Sequence, residues 1–373
     1  MTETALLLDA GESMLERVGG LTVIERQLWS LARAGFKTVR VDAARPKKSG
    51  LRWPDGLNIH WAQESADGPE GPSIAVSGRH FFRVAALRRA AREPSPSLAQ
   101  GAAADDSFPL DLPENRPAAL RWLLAAGIKP QDGFMSRHFD RHLSLGVSRL
   151  LLETRVTPSM MTAVSSLIGL LGALLFVVPE HSWRLGGALL VWLHSVLDGC
   201  DGELARIRFQ ESRLGADLDF WGDNLVHVAL FCCLGLGFYR ADQNAWPLAA
   251  AAAACVGTLG SAAMSYRQRL LRQRLPALAA ASNPGVASTL ERLEAALEAR
   301  DFIYLLVLLA FLDRLYEFMW AAAVGSLLFL LMMLYLGGKN HEQIGQPDPA
   351  REGNPRSASA GDGGGHQHVY SGS

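Results

Sequence analysis

The 373-residue chain has four cysteines, too few and too scattered for a disulfide framework. They are Cys200, Cys232, Cys233 and Cys255. None has the paired spacing of a zinc site. All lie in or beside apolar runs, where a thiol is expected to act as a small buried hydrophobe. The chain also lacks an excess of either charge: 36 Lys+Arg stand against 37 Asp+Glu, for a net charge of -1. Nothing in that balance points to a nucleic-acid partner. The N-terminus, MTETALLLDAGESMLERV, lacks the basic flank and the longer apolar core of a signal peptide, so insertion into a membrane is expected to start from an internal span. What is present instead is a late concentration of apolar residues. Met160–Val178, Gln243–Tyr266 and Phe318–Gly338 carry no charge, and roughly 20 apolar residues are enough to cross a hydrocarbon core.

Residues 1–94 read differently. TALLLDAG, KTVRVDA, GLNIHWA and PSIAVSGRHFF have strand character. GGLTVIERQLWSLARAGF has helical spacing and ends at Gly35, and RVAALRRAAR predicts a basic helix. Strands alternating with helices predict a parallel α/β sheet. Residues 95–117, rich in Pro, Ala, Ser and Asp, read as a linker. Residues 118–158 read as a juxtamembrane amphipathic segment, with Arg121, Arg137, Arg141, Arg149 and Arg155 near lipid head groups. Residues 339–373 have the composition of a disordered tail. The HQH within that tail is read as solvated.

Residues 159–338 predict a six-helix membrane domain, with spans at about 159–179, 183–203, 216–239, 244–266, 300–315 and 318–337. Arginines collect before the first span. They collect again between the second and third (Arg206, Arg208, Arg213) and between the fourth and fifth (Arg267, Arg269, Arg272, Arg274, Arg292, Arg300). The opposite loops carry only Arg184, Arg240 and Arg314. Six spans place the arginine-rich segments on one side, with both termini cytoplasmic.

Between the second and third spans lies DGCDGELARIRFQESRLGADLDFWGDN, residues 198–224. Asp198 and Asp201 are three apart, Asp219 and Asp223 four apart, so each pair shares a helix face. A short turn would set the two pairs against each other. Ionisable groups at membrane depth are costly and mark function. Divalent cations relieve the repulsion of four carboxylates, and all-oxygen ligands suit Mg²⁺, Mn²⁺ or Ca²⁺. Gly202, Ala205 and Gly215 leave room beside the carboxylates, and Arg206 can clamp a phosphate bidentately. The set points to phosphoryl transfer. Asp217, Glu203 and Glu211 lie off the motif and are expected at the surface.

The spacing Asp198-x2-Asp201-Gly202-x2-Ala205-Arg206-x8-Gly215-x3-Asp219-x3-Asp223 resembles, at all eight positions, the signature of the CDP-alcohol phosphotransferase family. The likeness covers about residues 132–338. It implies six transmembrane helices around a cytoplasm-facing polar cavity. It also implies transfer of a phospho-alcohol group from a CDP-linked donor to a hydroxyl acceptor, with release of CMP. By the same resemblance Asp198, Asp201 and Asp219 are ligands of a pair of Mg²⁺ or Mn²⁺ ions. Asp223 is a ligand of the second ion and the base, and Gly202, Ala205, Arg206 and Gly215 form the CDP pocket. Related enzymes are commonly homodimers.

DGFMSRHFDRHLSLGVSRLLLETRVTP and RDFIYLLVLLAF are similar to one subgroup, which includes the di-myo-inositol phosphate phosphate synthases. That subgroup carries a nucleotidyltransferase-like, Rossmann-type domain in front. Here the corresponding loop reads LDAGESMLERVGG. Gly11 is followed by acidic Glu12, no lysine precedes the helix, and Arg79 stands where the resemblance would place a metal-binding aspartate. The N-terminal domain is therefore expected to be a degenerate, non-catalytic remnant, with Arg17, Lys37, Lys47 and Lys48 solvated. The leading expectation is a phosphatidyl transfer from CDP-diacylglycerol. The alternatives are CDP-inositol with an inositol phosphate acceptor, and a non-enzymatic scaffold or transporter. The cluster YRQRLLRQR either holds an acceptor phosphate or anchors a helix end.

Overall fold

The computed structural model describes residues 3–9, 12–63, 73–92, 98, 105–110, 114–125, 139–274 and 302–344. Gly11, Arg137, Arg292, Arg300 and the HQH of the tail lie outside them.

The chain begins with Thr4–Leu8 (β1), whose Ala5 and Leu7 are fully buried. A small hairpin follows, Arg17–Val18 (β2) against Leu21–Thr22 (β3). It leads directly into Val23–Ala34 (α1). Thr22 caps that helix: its hydroxyl accepts from the Glu25 N–H at 3.3 Å, while the Glu25 carboxylate accepts from the Thr22 N–H at 2.9 Å. Gly35 ends it in the left-handed region at φ 105, as expected from the sequence. Thr38–Val41 (β4), Asn58–Trp61 (β5) and Ser73–Ser77 (β6) complete a parallel sheet in the order β5-β4-β1-β6. Ile24, Leu28 and Leu31 of α1 pack on Val39, Val41 and Val76 of the sheet. Each such side chain contributes about 1.5–3 kcal/mol by leaving water.

PSIAVSGRHFF is not one strand but two. Gln27 Nε2 donates to the Gly78 carbonyl at 2.6 Å and fixes a turn. Beyond that turn, His80–Phe82 (β7) leaves the main sheet and is followed by Val84–Arg92 (α2). β7 pairs with Ser107–Pro109 (β8), a strand that lies within the stretch read as a linker. Arg116–Ala125 (α3), part of whose length was expected at the lipid surface, instead packs on this domain. Its Ala119 is buried against Val18, Val23, Phe81 and Leu110, and Arg83 stacks 3.7 Å over the Trp122 ring. Short alanine- and leucine-rich α3 has no clean polar face to present to head groups.

Arg141–Leu151 (α4) then leads to the apolar helices Pro158–Leu175 (α5), His181–Ile207 (α6), Arg213–Asp242 (α7), Trp246–Arg274 (α8), Phe302–Phe311 (α9) and Leu315–Ile344 (α10). They follow the six expected segments. Four of them, α5, α7, α8 and α10, are long and apolar enough to cross a membrane. α6 carries the carboxylates and is not among the four, and α9 has only ten described residues. Two boundaries differ from expectation. α8 runs on through YRQRLLRQR, and α10 continues past 338 to Ile344, into the stretch read as a tail. The thiols also differ. Cys200 is buried, but Cys233 and Cys255 are half-buried and Cys232 is exposed on the outer face of the bundle. An outer face turned toward lipid tolerates a thiol as readily as a core does.

Arg208 follows the end of α6 and binds the carbonyls of Leu151, Leu152, Thr154 and Val156 at 2.7, 2.9, 2.9 and 2.5 Å. These carbonyls belong to the last turn of α4 and its link to α5, where helical partners run out. Arg208→Ala should remove about 2–3 kcal/mol of charged hydrogen bonding. It is expected to lower the apparent melting temperature in detergent by several degrees, while Arg213→Ala, at an exposed position, leaves it unmoved.

Candidate active site

α5, α6 and α7 build the site. α6 runs into the short turn at 208–212, and α7 starts from Ser212, whose hydroxyl accepts the Gly215 N–H at 3.0 Å. The turn brings the last three helical turns of α6 opposite the first turns of α7. Asp198 and Asp201 are 3% and 6% exposed, and Asp219 and Asp223 are half-buried. Carboxylate oxygens of Asp198, Asp201 and Asp219 lie within 4.8 Å of one another. A second group, His194, Asp198 and Asp223, meets the same limit. Asp198 belongs to both, so the two groups meet at that residue.

The donor chemistry fits a hard divalent cation. One group is wholly carboxylate, and the other adds a single imidazole nitrogen. So many carboxylates at this depth repel one another unless cations or protons intervene. Of the four aspartates, Asp198, Asp201 and Asp219 come together in one group, and Asp223 joins Asp198 in the group that contains His194.

Gly202 and Arg206 are one turn apart on α6. A Cβ on Gly202 would sit 3.1 Å from the Arg206 Nη1, so the glycine makes room for the guanidinium to lie back toward the carboxylates. Ala205 is half-buried on the same helix. Gly215 lies against its own capping serine, where a Cβ would be 2.9 Å from the Ser212 Oγ. Asp217 is half-buried, and Glu211 pairs with Arg33 at 2.6 Å with both side chains partly exposed.

Glu203 corrects the sequence reading. Expected at the surface, it is completely buried. Ser144 and Ser148 of α4 each donate to its carboxylate at 2.7 Å, and Arg141 Nη1 does so at 3.1 Å. Arg141, expected among lipid head groups, is thus spent on a buried ion pair beside the motif. The cause is register: Ser144 and Ser148 are four apart on α4, so both hydroxyls face one spot on α6.

Two further residues were not singled out from the sequence. His194 is 2% exposed, and its Nε2 lies 3.4 Å from an Asp223 oxygen. It precedes Asp198 by one helical turn, and that spacing was the available signal. Gly169 of α5 makes its slot, since a Cβ there would be 2.8 Å from the His194 ring. Thr162 of α5 donates its hydroxyl to Asp201. Nothing local in the sequence marks it. On the α8 side, Phe220 stacks with Tyr266, and the Arg269 guanidinium lies 5.0 Å from the Phe220 ring. Part of the arginine cluster therefore packs on the aromatic side chain next in sequence to Asp219.

Comparison with known proteins converges on this segment. A family model described as CDP-alcohol phosphatidyltransferase matches residues 155–336. Those residues are a CDP-alcohol phosphatidyltransferase domain. The chain is 37% identical over 164 residues to a bifunctional IPC transferase and DIPP synthase of Thermococcus kodakarensis, covering 44% of this chain and 35% of that protein. It is 32% identical over 136 residues to a phosphatidylinositol phosphate synthase of Mycobacterium tuberculosis, covering 36% of this chain and 59% of the other. The chain therefore aligns with only about a third of the length of the bifunctional relative. A crystal structure of the M. tuberculosis synthase with CDP-DAG bound is similar at 21% identity and a TM-score of 0.39, over 56% of this chain and 99% of that one. That likeness is too loose to add to the sequence match.

The phosphatidyltransferase domain depends on Glu203 for its α4–α6 seam. Glu203→Ala strands Arg141 and two serine hydroxyls in the interior, at a cost of about 3–5 kcal/mol. The variant is expected to melt well below wild type in detergent, whereas Glu211→Ala changes the melting point by less than about 2 °C, as a partly exposed ion pair implies.

Proposed function

We propose that the protein transfers a phospho-alcohol group from a CDP-linked donor to a hydroxyl acceptor and releases CMP. The observation that carries this reading is the pair of ligand groups, Asp198–Asp201–Asp219 and His194–Asp198–Asp223, which meet at Asp198. Asp198, Asp201, Asp219 and Asp223 would hold two divalent ions, Mg²⁺ or Mn²⁺. When bound, these would neutralise the pyrophosphate and stabilise the departing CMP.

The chain's own residues supply the rest. Arg206 clamps a donor phosphate, with Gly202, Ala205 and Gly215 leaving the backbone accessible to the nucleotide. Asp223 accepts the proton of the acceptor hydroxyl. The acceptor oxygen then forms a bond to the phosphorus that carries the donor alcohol. The bond from that phosphorus to the bridging oxygen breaks, and the electron pair leaves with CMP. His194 holds Asp223 from the buried side, and Thr162 holds Asp201. In this reading α6 and α9 are also membrane spans. That makes six, with both termini and the site on the cytoplasmic side, in a homodimer.

For the donor, CDP-diacylglycerol is the leading choice, because a site between lipid-exposed helices admits acyl chains laterally. A second reading, CDP-inositol with an inositol phosphate, is favoured by the α/β domain in front and by the names of the bifunctional relatives. Arg269 beside Phe220 suits an acceptor phosphate in either case.

Purified full-length protein with Mg²⁺ is expected to release CMP from one of these donors across a panel of hydroxyl acceptors. EDTA should abolish release, and Mg²⁺ or Mn²⁺ should restore it. Asp223→Asn should lower kcat by about 10²–10⁴-fold. Asp219→Asn should raise the metal concentration needed for half-maximal rate. Absence of CMP release from every CDP-linked donor, by protein that is folded and binds metal, would sink the proposal.

A further inference from the structure

The turn that follows Arg206 is gripped from outside the membrane bundle. Arg26 of α1, only 3% exposed, donates through Nη1 to the Ile207 carbonyl at 2.8 Å and through Nη2 to the Val18 carbonyl at 2.9 Å. Arg52 donates to the Arg208 carbonyl at 2.9 Å. Trp29 stacks on Phe209 with ring centroids 6.0 Å apart, and its indole N–H is tied to the Arg52 carbonyl at 3.1 Å. Arg33 pairs with Glu211. The contacts that reach the membrane domain all fall between Ile207 and Glu211, immediately after the motif's arginine.

The contacts answer a local need. The last carbonyls of a helix lack internal partners and attract cations. Here the cations that approach the end of α6 come from the α/β domain. Phe209 also sits at φ 52, a backbone region that bulky residues rarely adopt. That conformation lets the Gln210 N–H reach the Ala205 carbonyl at 2.8 Å and so ends α6 right at its motif residues. The Trp29 stack and the Arg26 guanidinium, 5.9 Å from the Phe209 ring, hold the phenyl group in place.

The glycine pair of LDAGESMLERVGG serves the same contact. Gly19 is at φ 61, and a Cβ on it would be 3.3 Å from the Ile207 side chain. Gly20 is at φ 81, and a Cβ on it would be 2.8 Å from the Leu152 carbonyl and 3.0 Å from the Arg208 Nε. The backbone of the β2–β3 hairpin therefore presses directly on the membrane domain. At the carboxyl ends of the strands, where parallel α/β folds bind nucleotides, Asp9 after β1 and Arg79 after β6 pair with each other at 2.6 Å.

We infer that the α/β domain is a positioning module for the transferase site: Arg26, Trp29 and Arg52 fix the α6–α7 turn and thereby hold Arg206 at the donor pyrophosphate. This rests on the proposed function for what Arg206 binds. Arg26 and Arg52 are positioning residues, since they act through the turn and touch no substrate.

The test uses full-length protein and three readouts: affinity for CDP with Mg²⁺ by calorimetry, amide hydrogen exchange over residues 205–213, and CMP release. Arg52→Ala, Arg26→Gln and Gly20→Ala should each weaken CDP binding by about tenfold and speed exchange in the turn, with kcat at saturating donor within about twofold of wild type. Arg26→Lys should recover most of the affinity. Gly35→Ala strains the same domain at φ 105 but touches nothing within 4 Å. It should lower the domain's stability and leave CDP affinity unchanged. Faster exchange in the turn with unaltered CDP affinity would overturn the inference, as would unaltered exchange in all three variants. A wild type that binds CDP but releases no CMP would remove the proposed reaction and leave the positioning inference to be decided by affinity and exchange.

Discussion

Four carboxylates brought together from two consecutive helices, α6 and α7, are an electrostatic load that the rest of the structure must accommodate. Two of them, Asp198 and Asp201, are almost wholly buried. Coulomb repulsion at such distances and in such surroundings amounts to several kcal/mol per pair. Cations are the natural counterweight, and the protein surrounds the carboxylates with groups that keep them in place. Thr162 holds Asp201, His194 stands behind Asp223, and Gly169 opens the slot in which His194 sits. The same helix carries Glu203 on a different face, where two serines and an arginine of α4 neutralise it. α6 thus separates two kinds of acidic residue: one set faces the α7 carboxylates and the other is sealed against α4.

Much of the surrounding architecture answers the problem of ending α6 and starting α7 within a few residues. Arg208 turns back to cap α4. Ser212 caps α7. The α/β domain supplies Arg26 and Arg52 to the end of α6. A tight turn with a left-handed phenylalanine is not self-sustaining. It persists because three separate elements close around it. The N-terminal domain, read from sequence as a remnant of an enzyme, is built into the structure at the point where the transferase motif changes direction.

The sequence was legible where a residue's role depends on neighbours along the chain. Apolar run length gave the positions of the long helices. Runs of strand character gave the strands of the parallel sheet, and Gly35 marked the end of α1 through local capping chemistry, whereas the Thr22–Glu25 cap at its start emerged only in the structure. The eight motif positions were legible because their spacing on two helices joined by a short turn leaves few ways to arrange them. β8 and α3 were not. Each is short, with weak periodicity, and each exists because a distant partner, β7 in one case and Val18, Phe81 and Leu110 in the other, offers it pairing or burial.

The sequence by itself determined the family of the membrane domain, the carboxylate set and the arginine that follows it, because helical periodicity converts spacing into a shared face. Tertiary structure alone decided the fate of Glu203, Arg141, His194 and Arg26. A charged or polar side chain carries no local sign of whether it will meet water, lipid or a buried partner. That outcome depends on which helix packs against it, and the packing of α4, α5 and the α/β domain around α6 is set by contacts between segments far apart in the chain.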